Sequence, residues 1–156
     1  MDTQAFYRTG KPFELAGLTL KLQPLDSDSI ENLDQWVRER HILLGVSTAK
    51  KVRPTDPESA DLILSLHSMQ AATMTFMSGL GAKVIATPEG MAQLLWEASG
   101  NKSEFTPKDI TKEMYKPENV KRANKHLAAL QPGKGGSKAK GKKGGKSKPK
   151  RKRTKK

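Results

Sequence analysis

The sequence predicts an α+β protein, in which an N-terminal β-hairpin packs on about five helices and a disordered cationic tail follows. Three observations predict this: alternating apolar residues near the N-terminus, repeated proline-started helical segments, and an abrupt change of composition at Gln131. Residues 131–156 hold 13 Lys and Arg and no acidic residue, whereas the 156-residue chain has 29 basic and 16 acidic residues. The other 16 basic residues therefore balance all the acids. We predict a neutral globular body at 1–130 and a cationic tail at 131–156.

The hairpin is predicted from the segment FELAGLTLKL, residues 13–22. Apolar side chains occupy alternate positions on both sides of Gly17, and a period of two places them on one face of a sheet. Gly17 can adopt the positive φ of a tight turn. Because an isolated hairpin is marginally stable in water, its leucine face must pack on the helices.

The first helix is predicted to begin near Asp28, because Asp28 and Glu31 have the spacing of a capping box. Apolar residues then recur at spacings of three and four as far as Leu44, and Gly45 is the expected end of the helix. A loop is expected over residues 45–55. Three later helices should each start at a proline, whose missing N–H would be unpaired in a first turn anyway. Their dipeptides are Asp56-Pro57, Thr87-Pro88 and Thr106-Pro107, whereas Lys116-Pro117 should interrupt the third of these helices before a last helix follows.

The second helix is expected to contain LILSLHSMQAATMTFMSGLGA, residues 62–82, which carry no formal charge. The stretch is long enough to span a bilayer, but its Ser, Thr, Gln and His residues argue against a membrane span. We expect a central helix covered on most sides by the domain, with a partner helix or a second subunit as the alternative cover. Flexible Met and broad apolar side chains suit an adaptable binding surface. The client-binding candidates are Leu62, Leu66, Met69, Phe76 and Met77.

Catalytic and metal-binding groups are not predicted. The chain has no Cys, and its three His residues, His41, His67 and His126, each stand alone in the sequence. Asp26 and Asp28 are better explained by helix capping than by acid–base chemistry. We therefore predict no enzyme activity, no cofactor and no metal site.

The tail is predicted to bind a polyanion, because clustered cations on a flexible strand release counterions from phosphate chains. A purely solubilising role is the alternative. The segment 148–153, KPKRKR, is also similar to a nuclear import signal. The polyanion-binding candidates are Lys142, Lys143, Lys146, Lys148, Lys150, Arg151, Lys152, Arg153, Lys155 and Lys156.

Three stretches carry a likeness to a known family: PFELAGLTLKLQPLDSDSIENLDQWVRER, GMAQLLWEASGNKSEFTPKDITKEM and LAAL. In the order and patterning of these elements, residues 11–130 resemble the small tail assembly chaperones of long-tailed bacteriophages. The resemblance implies a non-catalytic protein in the host cytoplasm that keeps an apolar, helical tape-measure protein soluble during tail assembly. The Lys- and Gly-rich tail departs from the family's pattern. It favours an alternative, an accessory or structural protein whose tail contacts DNA or RNA phosphates, which would be nuclear in a eukaryote.

Overall fold

The computed structural model describes residues 12–130, and within them a two-stranded antiparallel sheet precedes six α-helices. The predicted α+β class is confirmed. The predicted tail, residues 131–156, lies outside the described residues, as do residues 1–11. The elements are β1 Phe13–Leu15, β2 Leu18–Leu20, α1 Ser27–Val52, α2 Pro57–Ala72, α3 Gly79–Ile85, α4 Pro88–Glu97, a 3-10 turn Lys102–Glu104, α5 Pro107–Met114 and α6 Pro117–Leu130.

The β-hairpin forms as its alternation predicts. Phe13 pairs with Leu20 across the two strands, and both side chains are buried. The two turn residues, Ala16 and Gly17, have φ values of 47° and 86°. Positive φ at both central positions matches the right-handed twist of the flanking strands, which is why a two-residue turn closes this hairpin.

The hairpin packs its apolar face on helices α4, α5 and α6, and this packing forms the larger core. Its central side chains, Leu20, Leu95 and Ile110, are fully buried and come from three different elements. The isolated bridge between Leu22 and Ser99 ties the strand exit to the end of α4. Such burial provides the support that an isolated two-stranded sheet lacks.

Helix α1 is longer than predicted at both ends. It starts at Ser27, and the carboxylate of Asp26, not Asp28, accepts the backbone N–H of Ser29 at 2.7 Å. Its end lies at Val52, so the prediction of a loop over residues 45–55 is wrong for most of that range.

Gly45 does not stop α1; it lies buried in the middle of the helix. A Cβ atom at this position would lie 2.6 Å from Cγ of His67 on α2. Gly45 is therefore required for the close approach of two helices rather than for a helix end, and no local pattern distinguishes the two uses.

The uncharged segment forms two helices, which raises the count from the predicted five to six. Helix α2 ends at Ala72, and α3 begins after Ser78, whose hydroxyl accepts the backbone N–H of Gly81. Thr75 and Ser78 also exchange side-chain and backbone hydrogen bonds across the intervening turn. Local bonds of this kind compete with a continuing helix. Within residues 12–130, no helix combines the length and the apolar character needed to cross a bilayer.

The aspartates that cap α1 and α2 make the stability of the protein sensitive to acid. The backbone N–H of Ser29 holds the pKa of Asp26 below the ordinary value of an aspartate, and the hydroxyl of Ser59 lowers the pKa of Asp56 in the same way. A carboxyl with a lowered folded pKa stabilises the protein above the unfolded pKa, and the contribution is lost as the pH falls through the folded pKa.

We expect the double variant Asp26→Asn/Asp56→Asn to lose less stability on acidification than the parent chain. Asn retains a capping oxygen but does not titrate, so its contribution is the same at both ends of the pH range. Urea midpoints measured from about pH 5 down to about pH 2 check this expectation. Parallel curves for the two proteins would assign the acid sensitivity to other carboxyls.

Candidate functional site

The C-terminal half of α1 and the whole of α2 form an antiparallel helical pair that we call the helical arm, residues 41–52 and 57–72. Its interface is built from small residues: Gly45 and Ala49 of α1, and Ala60 and Ala71 of α2, are buried. Small side chains allow two helices to approach closely. Of the larger apolar side chains of α2, Ile63 and Leu64 are half-buried, and the others are exposed.

The outer face of α2 exposes three large apolar side chains. Leu62 is 69% exposed, Leu66 49% and Met69 72%. Positions i, i+4 and i+7 share one face of an α-helix, so the three form a continuous stripe, which we call the α2 apolar face. The expectation that this helix is covered on most sides by the domain is wrong. Exposed apolar surface gathered in this way is typical of an interaction site.

The other two client-binding candidates lie in the turn after α2, in different environments. Met77 is 74% exposed. Phe76 is half-buried and packs against the second core cluster, whose buried members are Leu33, Val37, Met74 and Ile85. Its backbone N–H donates to Oδ1 of Asp34 at 2.8 Å, which anchors the turn to α1. The structure thus brings Leu62, Leu66 and Met69 together and places Phe76 mainly in a packing role.

Charge is confined to one end of the α2 apolar face. Glu58 and Asp61 lie in the first turns of α2, and no formal charge follows until Lys83. Asp61 pairs with Arg53 at 2.8 Å, but both side chains are largely exposed, so this ion pair contributes little to stability. The α2 apolar face is therefore uncharged along most of its length.

A second exposed apolar group lies on α1 and was not among the predicted site residues. Ile42, Leu43 and Leu44 are all exposed, although the sequence pattern assigns Leu44 to the inward stripe. The residues that face inward recur every four positions, as His41 and Gly45 do. This strict spacing of four leaves Leu43 and Leu44 off the buried stripe, and it is the signal that could have identified them.

His41 and His67 meet in the folded chain. The rings of His41 and His67 stack across the arm with their centroids 4.6 Å apart. Nε2 of His41 lies 2.9 Å from Oε1 of Gln70, and Nδ1 of His67 lies 2.9 Å from the carbonyl oxygen of Ile63. Each bonded nitrogen faces an oxygen acceptor and so carries the hydrogen. The pair fixes the register of the two helices.

Among residues 12–130, the most deeply buried charge belongs to Glu97, which is 3% exposed. Nζ of Lys102 lies 2.6 Å from Oε2 of Glu97, 3.3 Å from Oγ of Ser29, and 5.2 Å from the centre of the Trp96 ring. Every buried side-chain polar atom in residues 12–130 has a hydrogen-bond partner. This network is consequently saturated and has the character of a structural link between α1 and α4.

Metal-binding geometry is also not found in the described part of the chain. No group of three or more His, Asp or Glu side chains lies close enough to hold an ion there.

The predicted polyanion-binding residues, Lys142 to Lys156, all lie outside the described range. The helix that leads toward them, α6, exposes Lys121 and Lys125. Arg122 on the same helix donates to the carbonyl oxygen of Glu14 at 2.9 Å and lies 5.2 Å from the Phe13 ring centre. Lys121 and Lys125 are thus exposed on α6, which comes directly before residues 131–156 in the sequence.

Comparison with known proteins gives no further assignment, since no protein-family model, no curated protein and no solved structure matches this chain. Its function must be argued from the surfaces described above.

Proposed function

We propose that this protein is a non-enzymatic assembly chaperone that binds an apolar helical client through the α2 apolar face. The observation that carries the proposal is the exposure of Leu62, Leu66 and Met69 along one side of a helix whose other side is packed. The client class that this face fits is a long apolar helical protein. The resemblance of residues 11–130 to phage tail assembly chaperones suggests a tape-measure protein, met in the host cytoplasm.

The arrangement suits reversible binding of a helix. An amphipathic client helix can lay its apolar residues along the stripe at i, i+4 and i+7, as in other helix-recognition surfaces. Met69 adapts its shape readily, which favours a surface that meets many successive segments of one client. Since α2 is anchored by its alanine face, the stripe is presented without any rearrangement of the core.

We expect Leu66→Glu or Met69→Glu to reduce client capture at least about tenfold, because a charge buried in an apolar contact loses its hydration. Both side chains are exposed in the free protein, so the free energy of unfolding should change by no more than about 0.5 kcal/mol. Ser68→Glu is the matched control, because it adds the same charge to an exposed position of the same helix. Affinity capture from native cells after nuclease treatment, with the captured proteins identified by mass spectrometry, measures binding.

Circular dichroism and urea unfolding of the same variants give the decisive control. Unfolding of Met69→Glu would show that its exposed side chain is part of the core and would remove the basis of the proposal. A folded Leu66→Glu variant that captures the client as well as the parent chain does would place the client surface elsewhere.

A second candidate function is nucleic-acid binding through the tail. It is favoured by the 13 Lys and Arg residues, without any acid, in residues 131–156. The tail contains no aromatic residue, so contacts to phosphates rather than base stacking would dominate. In this case the globular body would act as the adaptor that brings another protein to DNA or RNA.

A further inference from the structure

We propose that the α2 apolar face also joins two copies of this chain into a reversible dimer, in which the two α2 helices pack antiparallel about Leu66. The inference rests on the proposed function only in using the same face. It adds the partner that covers the face when no client is present.

The stripe is self-complementary in the antiparallel direction. Along the helix axis, Leu62 lies about 6 Å before Leu66 and Met69 about 4.5 Å after it. A twofold axis at Leu66 therefore places Leu66 opposite itself and brings Leu62 of each copy close to Met69 of the other. Each large side chain of one copy then meets a large side chain of the second copy, so that apolar surface covers apolar surface across the contact.

Charge favours the antiparallel direction over the parallel one. Parallel packing would place Glu58 and Asp61 of both copies side by side, and like charges repel. In the antiparallel pair, the two Glu58 positions are separated by about 24 Å along the axis. Each Glu58 then lies near the C-terminal end of α2 in the other copy, and in the turn just beyond that end Nε of Arg38 donates to the Met74 carbonyl oxygen at 2.7 Å.

The size of the face predicts a weak dimer. A helix of 16 residues is about 24 Å long, and one side of it buries less than the roughly 1,200 Å² of total area at which stable interfaces begin. Such a dimer would dissociate readily and would yield its surface to a client. Self-association would then protect the apolar face from non-specific aggregation until the client is made.

Cysteine crosslinking of the full chain tests this inference directly, because the sequence contains no Cys of its own. After mild oxidation, Leu66→Cys should form a disulfide-linked dimer by itself. Leu62→Cys and Met69→Cys should each crosslink poorly alone, because equal positions lie about 12 Å and about 9 Å apart along the axis, and they should crosslink when mixed. Leu43→Cys, an exposed position on α1, controls for random collision.

Three results would overturn the antiparallel dimer. Efficient self-crosslinking of Leu62→Cys and Met69→Cys would show parallel packing, and crosslinking of Leu43→Cys as fast as Leu66→Cys would show collision only. A monomer at all concentrations by sedimentation equilibrium, together with no Leu66→Cys dimer, would exclude the contact.

Client capture by the Leu66→Glu variant separates the two proposals. If the parent chain is monomeric and Leu66→Glu still loses the client, only the dimer fails; if Leu66→Glu abolishes the dimer and keeps the client, only the client assignment fails.

Discussion

Deletion of residues 131–156 is expected to remove nearly all retention of this protein on heparin and on DNA. The deletion takes away 13 cations and leaves a body with no net charge. A protein that neutralises six to ten phosphates loses about 10³- to 10⁵-fold in affinity between 50 and 200 mM salt, and the truncated chain should have lost most of this salt dependence. Fluorescence anisotropy with a labelled duplex over a series of salt concentrations measures both quantities.

The matched control for this deletion is Lys121→Gln/Lys125→Gln, which removes the two exposed lysines of α6 and keeps the tail. We expect this variant to retain the affinity of the parent chain within a few-fold. Retention of the steep salt dependence by the truncated chain would show that the body itself holds the polyanion. Loss of client capture on truncation would assign the tail a part in chaperone function.

The largest effect on stability is expected from Lys102→Met. This substitution removes the cation 2.6 Å from the buried Glu97 carboxylate and leaves that charge without its partner. Breaking a buried pair in this way costs about 3–5 kcal/mol, and the partial exposure of Lys102 favours the lower end of that range. Urea unfolding followed by tryptophan emission measures the loss, and Trp96, next to Nζ of Lys102, reports on the site directly.

The double variant Glu97→Leu/Lys102→Met provides the control. Replacing both members of a buried pair by apolar residues is often nearly neutral, because neither charge is then left without a partner. We expect the double variant to be more stable than Lys102→Met alone. Equal stability of Lys102→Met and the parent chain would show that water, rather than Lys102, can solvate the Glu97 carboxylate.

The parts of the fold that the sequence predicts are those determined by local chemistry. Pro57, Pro88 and Pro107 each stand at the beginning of an observed helix, because a fixed φ and a missing N–H act within one turn; Pro117, predicted only to interrupt a helix, also begins one. The alternation around Gly17 likewise predicts the hairpin, since both strands and the turn lie within ten residues.

The errors concern contacts between distant residues. Gly45 has the local signature of a helix end, and only the presence of His67 beside it, 22 positions away, explains its place inside α1. The stacking of His41 on His67 is equally invisible in the sequence, because it depends on how two helices align. Asp26 and Asp28 are both acceptable caps, and the choice between them depends on where α1 meets α4.

The sequence predicts which apolar residues belong to the candidate site, but it does not predict that their side chains are exposed. An uncharged, Met-rich stretch identifies residues 62–82 as unusual, yet the same composition suits a buried helix and an uncovered one. The difference lies in Ala60 and Ala71, which provide the packing of α2 and so leave Leu62, Leu66 and Met69 outside. Phe76 has the same apolar character as those three, but the turn after α2 places it against the core.

The division of α2 into an alanine side and a leucine–methionine side has a consequence for how this protein can diverge. Because the large residues take no part in the core, natural selection can replace them one at a time to follow a changing partner without a loss of folding. Gly45 and Ala60, by contrast, tolerate almost no increase in volume. Substitutions in this protein should therefore be rare on the inner side of the helical arm. They should be frequent on its outer side, where they follow changes in the binding partner.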